Sequence, residues 1–253
     1  MATLVSLFLR CALLASPDCF AWHLKSRKTG NGEIVLELES VMLTLFCGKG
    51  APIHKGEFAS IGTYDFPLVI RQNVSLDELC LIGFSETRQN EQKHQSATVH
   101  FFEDDDKFDE VWNNPPKYIA KLKQYRQVLS PDFSQYADMP AAIQIFNVYR
   151  NRWCAAYWQQ QGLVVIPTIS WSDNSSLAYS FDSVERHSYV AVSTVGCANN
   201  EDVFMAGYVE MVARIEPMAV ICYGRLFSNM SSYATCIEIE YRTNTTLSYT
   251  VHV

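Results

Sequence analysis

Six short apolar runs punctuate the middle of the chain, at 78–84 (ELCLIGF), 97–102 (ATVHFF), 128–129, 163–169 (LVVIPTI), 188–195 (SYVAVSTV) and 218–222 (MAVIC). Near-continuous runs of this kind predict strands covered on both faces, the arrangement of a parallel sheet. Between two of them the period changes to three and four. Ile145, Phe146, Tyr149, Trp153, Ala156 and Tyr157 share one face of a long predicted helix, and Gln144, Asn147, Asn151 and the glutamines 159–161 fill the other. Asp138 before Met139 and Pro140 reads as the cap and first turn of this helix, and Gly162 as its left-handed end. Arg150 and Arg152 read as solvated or salt-bridging residues on its surface. Residues 201–215 (EDVFMAGYVEMVARI) form a further helix with Val203, Met205 or Ala206, Val209 and Val212 turned inward.

The segment 126–171 is thus a strand–helix–strand unit, and its neighbours repeat it. The expected fold is α/β, built of repeated β/α units with a mostly parallel sheet, either barrel-like (complete or truncated) or open. Residues 71–230 form the β/α core domain, 1–70 an N-terminal extension with irregular strands, and 231–253 a C-terminal strand and tail. In the extension, 25–31 (KSRKTGN) reads as a basic turn and 33–46 as two strands or one bulged strand. In the tail, Ile237, Ile239 and Tyr241 alternate as in an edge strand.

Composition narrows the function classes. The chain has 253 residues and a formal net charge of −7, which argues against general binding to a phosphate backbone. Its eight cysteines include no CxxC pair and no His/Cys cluster, so they spell no zinc site and read as buried free thiols of a reducing compartment. The N-x-S/T triplets at Asn73, Asn174, Asn229 and Asn244 matter only in a secreted chain. Arg10 interrupts the apolar runs 4–9 and 11–15, against both a secretory signal and a membrane span of roughly 20 apolar residues. A cytoplasmic location is the expectation.

In every version of this fold ligands bind at the carboxyl ends of the strands. That places Glu86, Glu103, Asp104, Asp132, Ser170, Trp171, Asp173, Ser193, Thr194, Tyr223 and Arg225 at the candidate site. Topology alone selects them, because the nucleophile-elbow, zinc-helix, dinucleotide and phosphate-loop motifs are absent and no cofactor is implied. Asp132, with Asp173 or Glu103 as a second carboxylate, suits acid and base roles, since unlike environments separate the pKa values of two carboxyls. Trp171 and Tyr223 suit stacking on a sugar or base, Ser193 and Thr194 polar contacts, and Arg225 an anionic group. The acidic run 103–106 lacks the spacing of a calcium loop and reads as a solvated helix approach, so no metal ligand is assigned.

The blocks SPDFSQYADMP (130–140), NVYRNRWCAAYWQQQGLVVIPTISW (147–171), VAVSTVG (190–196) and PMAVICYG (217–224) resemble an uncharacterised domain-of-unknown-function family met in bacteria and in phage or other mobile elements. The similarity covers roughly 73–230. It implies an intracellular bacterial or phage protein and carries no known activity, so it transfers no catalytic residue. Two functions stay open. One is an enzyme, a hydrolase or transferase, with a carboxylate site for a small ligand at the strand ends. The other is a non-enzymatic module that binds a protein, or nucleic acid through Lys117, Lys121, Lys123 and Arg126.

Overall fold

The computed structural model describes residues 23–28, 34–39, 58–241 and 249–252. The chain divides into two compact units, Met1–Pro52 and Ile53–Val253. In the first, β1 (His23–Lys28) and β2 (Ile34–Glu39) pair antiparallel, with Lys28 opposite Ile34. Residues 25–28 are therefore strand and not turn, because ladder pairing uses backbone groups that polar residues supply as well as apolar ones. The expectations for 1–21 and 41–46 fall outside the described residues.

In the second unit a short antiparallel pair, β3 (Ser60–Ile61) and β4 (Phe66–Pro67), precedes the core. Then β5 (Leu81–Gly83), β6 (Thr98–His100), β7 (Gln127–Leu129) and β8 (Val165–Ile166) pair in parallel in that order. So do β9 (Val190–Ser193), β10 (Val220–Tyr223) and β11 (Cys236–Ile239), with β12 (Tyr249–His252) antiparallel along β11. All six strands expected from the apolar runs are present. Of the tail, β11 with Ile237 and Ile239 is paired on both sides, and β12 is the outer strand of the sheet among the described residues.

A parallel bridge between Thr168 and Ala191 joins β8 to β9, so the strands follow one another in space as they do in the chain. The sheet is strongly curled. The rings of His100 on β6 and Tyr223 on β10 lie 4.8 Å apart, although four strand spacings of a flat sheet would separate them by about 19 Å. Among the described residues no pairing joins β5 to β11 or β12, so the sheet stays open and the complete barrel is not formed. Leu81, Leu129, Ile166, Ala191, Ile221 and Ile237 fill the inside of the curl.

The outside carries helices. Two single-turn helices, α1 (Glu110–Asn113) and α2 (Ile119–Leu122), lead to α3 (Ala141–Gln160), and α4 (Glu201–Ile215) follows β9. Trp153, Cys154, Ala155 and Trp158 of α3 pack with Val99, Val128 and Val165. Phe204, Tyr208, Met211 and Ile215 of α4 pack with Val190, Val192, Val220 and Cys222. Gly162 ends α3 at φ 83°, with Leu163 N–H bonded to Trp158 O (3.0 Å) and Gly162 N–H to Gln159 O (2.9 Å). No helix among the described residues is long and apolar enough to cross a membrane.

α4 is rotated from its expected face. α3 keeps most of its own, with Trp153 and Ala156 buried and Ile145, Tyr149 and Tyr157 packed against the core, and buries its polar side as well. On α4 the inner residues include Phe204, Gly207, Tyr208 and Met211, and Val203 is exposed. On α3 the polar stripe Gln144, Asn147, Asn151 is buried, while Ile143 and Phe146 are 47% and 45% exposed. Asp138 is exposed and Pro140 occupies the N-cap position without a side-chain bond. The buried stripe supplies hydrogen bonds to the loops at the strand ends.

Candidate active site

The loops after β7 and β8 carry Asp132, Gln135 and Ser170. Buried loop backbone outside a ladder must find other partners, and α3 supplies them. Asn151 Nδ2 donates to Pro131 O (2.6 Å) and Thr168 O (3.2 Å). Asn147 Nδ2 donates to Ser134 O (2.6 Å), and Gln144 Nε2 to Met139 O (2.8 Å) and Tyr136 O (3.1 Å). Gln144 Oε1 accepts from Ser172 Oγ (2.6 Å) and Tyr179 OH (3.0 Å). Arg152, read from the sequence as a surface residue, is 2% exposed. Its guanidinium donates to Asp182 O (3.0 Å), Ser180 O (2.6 Å), Thr168 O (3.3 Å) and Asn151 Oδ1 (2.6 Å). A fork of five N–H donors can serve that many carbonyls where a lysine cannot.

These bonds hold open a cleft of about 610 Å³ at the carboxyl ends of the strands. Of the residues expected there, Glu86, Glu103, Asp104, Asp132, Ser170, Trp171, Ser193 and Tyr223 line it. Asp173, Thr194 and Arg225 are not among its lining residues. Asp173 Oδ1 instead accepts the N–H (2.9 Å) and hydroxyl (2.6 Å) of Ser175, which hold its carboxyl below the usual carboxylate range. Thr194 is buried and donates to Arg225 O at 2.8 Å, and the Arg225 side chain is exposed. Ser193 Oγ donates to Tyr223 O (3.3 Å), so its proton is already engaged.

Asp132 faces the cleft, yet protein surrounds its carboxyl closely enough that desolvation pushes its pKa up to about 7, against the Ser170 hydroxyl that favours the charge. The nearby Asp105 carboxylate raises it further. Burial raises Asp105 as well, but Ser134 donates to it through N–H (3.2 Å) and Oγ (2.8 Å), and Arg150 lies 3.8 Å away. Both carboxyls are thus raised, Asp132 to about 7. Ser170 Oγ accepts from Gln135 Nε2 (3.1 Å), which leaves its own proton to point at Asp132. Cys197 also lines the cleft, and burial together with Asp132 pushes its thiol up, so it is not a thiolate nucleophile at neutral pH.

Glu103 is held by Ser85, whose N–H (3.0 Å) and hydroxyl (2.6 Å) both donate to it. Beside it stands His100, which was not singled out from the sequence. Burial lowers its pKa to about 4, so the ring is neutral. A signal was available: His100 has the parity of Gly83, its register partner on β5, and so belongs to the strand face turned into the curl.

Trp171 packs against Phe181 (5.7 Å between rings) and Phe204 (4.9 Å) while lining the cleft. Its indole lies directly on Gly207 of α4, where an added methyl would stand 2.5 Å from two ring carbons. Gly207→Ala is therefore expected to push the rigid indole into the cleft and cost about 1 to 3 kcal/mol. Urea denaturation together with the Trp171 fluorescence spectrum checks this.

The other charged residues disperse. Asp104 pairs with Lys107 (3.2 Å), and among the described residues no three His, Cys, Asp or Glu side chains are grouped to hold a metal ion. Lys117 pairs with Glu110, Lys121 lies over the Phe84 ring (4.1 Å), Arg126 donates to Asp77 O (2.6 Å), and Lys123 is exposed.

The Gene 1 protein of Mycobacterium phage L5 is 39% identical over 133 residues, 51% of this chain and 58% of its own length. The Gene 1 protein of Mycobacterium phage D29 is 39% identical over 133 residues, 51% of this chain and 49% of its own. The chain thus spans about half the length of the curated relatives it matches. No solved structure matches it. The family described as a domain of unknown function (DUF4417) matches residues 58–242, which takes in the whole curled sheet up to β11 and every residue of the cleft, and the chain belongs to that family.

Proposed function

We propose that the strand-end cleft is the catalytic site of a hydrolase or group transferase, with Asp132 as the proton donor and Glu103 as the carboxylate that accepts one. The observation that carries this reading is the Asp132 carboxyl, held at about 7 in a cleft wall. A general acid works best when its pKa lies near the operating pH, and carboxyls raised in this way in clefts cluster at functional sites. Glu103 is preferred to Asp173 as partner because it lines the same cleft and is held as an acceptor by Ser85. The leaving group would take the Asp132 proton while Glu103 draws one from water or an acceptor hydroxyl.

The test is turnover by the full chain of a panel of nitrophenyl glycosides, nitrophenyl esters, nucleosides and phosphodiesters between about pH 5 and about pH 9. One class is expected to react, with kcat/KM falling above about pH 7 as the Asp132 acid ionises. Turnover that stays level through that range would contradict the role given to Asp132.

A further inference from the structure

We infer that His100 Nε2–H and the Glu103 carboxylate form a donor–acceptor pair on the cleft wall that takes neighbouring hydroxyls of an uncharged sugar ring. This names the substrate class of the site proposed above and rests on that reading only for the reaction, not for the binding.

The first observation is an unpartnered donor. His100 is 5% exposed and lines the cleft. Its Nδ1 accepts the Phe102 N–H at 3.2 Å, so the neutral ring carries its proton on Nε2. The ring packs against Phe102 (5.8 Å) and Tyr223 (4.8 Å), which stack on each other (5.0 Å). Nε2 makes no hydrogen bond among the described residues and is not one of the atoms sealed inside the protein, so its N–H opens to the cleft.

The second is the acceptor beside that donor. Gly83 has φ −64° and ψ 143°, a conformation open to any residue, so its backbone does not require glycine. A side chain there would come within 2.6 Å of Glu103 Oε1 and 3.7 Å of His100 Nε2. The missing Cβ is what lets the Glu103 carboxylate lie against the strand, next to His100 Nε2.

The third is charge. Glu86, Glu103, Asp104 and Asp132 line the cleft, and the lysine that lines it, Lys107, is paired with Asp104 at 3.2 Å. A phosphate or carboxylate would meet carboxylates with no free cation among the lining residues, and an ammonium would leave the His100 N–H without an acceptor. A hydroxyl matches both partners, because it accepts from Nε2–H while its neighbour donates to Glu103. Trp171, which is only partly buried, supplies flat apolar surface for the ring of such a ligand.

Calorimetric titration of the full chain with methyl glycosides, ribonucleosides and the phosphate esters of each tests the assignment. At least one neutral sugar is expected to bind, its phosphate ester about tenfold or more weaker, and the glycoside and nucleoside arms tell which sugar source is meant. His100→Phe keeps the stacked ring and removes the donor, and is expected to weaken binding about tenfold. In the wild-type chain, nitrogen NMR of labelled histidine is expected to show the His100 Nε2 resonance moving on sugar addition, a readout that needs no variant. Failure of every neutral sugar to bind, tighter binding of the phosphate esters, or binding that leaves the His100 resonance unmoved would overturn the inference. Sugar binding without turnover would uphold it and count against the catalytic reading, and turnover of a substrate that contains no sugar would do the reverse.

Discussion

Arg152→Ala is expected to lower the stability of the core by about 3 to 5 kcal/mol, enough to leave much of the chain unfolded at ordinary temperature. The guanidinium is enclosed, and removing it strands the carbonyls of Ser180 and Asp182 and leaves Thr168 O and the Asn151 amide oxygen with one donor each, Asn151 Nδ2 and Ser130 Oγ. Each buried acceptor left without a donor costs about 1 to 3 kcal/mol, and the vacated volume adds a cavity term. Water entering the cavity offsets part of this, which keeps the estimate below the sum. Arg152→Lys retains the charge but not the fork, and is expected to recover less than half of the loss. Denaturant midpoints of the two variants decide it. A loss below about 1 kcal/mol for the alanine variant would show that the loops do not depend on α3 for their hydrogen bonds.

Asp132→Asn is expected to reduce turnover by about a hundredfold to ten-thousandfold while making the fold more stable. The two effects share one cause. Asp132 titrates at about 7 in the folded chain against 3.8 for an unperturbed carboxyl. Between those values the folded state holds a proton that the unfolded state has released, so stability falls as pH rises through the window and the loss is complete above it. Asparagine does not titrate. At about pH 8 the variant should therefore be more stable than wild type by on the order of 1 to 3 kcal/mol, with the advantage vanishing near pH 4. Unfolding curves at the two pH values measure this, and a variant less stable than wild type at the higher pH would mean that Asp132 serves the fold as a carboxylate.

The strand positions were legible because parallel strands buried on both faces leave continuous apolar runs, and each of the six runs contains a strand. The curl was not legible, since it depends on contacts between β6 and β10, strands far apart in the chain. Faces of helices were read from hydrophobicity alone, which fails where polar side chains are buried as backbone partners: Gln144, Asn147, Asn151 and Arg152 look like a solvent face and are the scaffold of the cleft. Asp132 could be placed from topology because it follows a buried strand. The choice between Glu103 and Asp173 could not be made, because it turns on which way each side chain leaves its loop, and Ser175 decides that for Asp173. His100 was hidden inside an apolar strand, where only its parity with Gly83 marks it.

The Asp132 carboxyl, raised to about 7, still holds its proton in about half of the molecules at neutral pH, and carbon NMR reads this directly. With aspartate carboxyl carbons labelled and the Asp132 resonance assigned by its loss in Asp132→Asn, the account requires a titration midpoint near 7, well above the 3.8 of an unperturbed side chain. A midpoint in the ordinary carboxylate range, below about 5, would leave Asp132 ionised at neutral pH and remove the acid from the site.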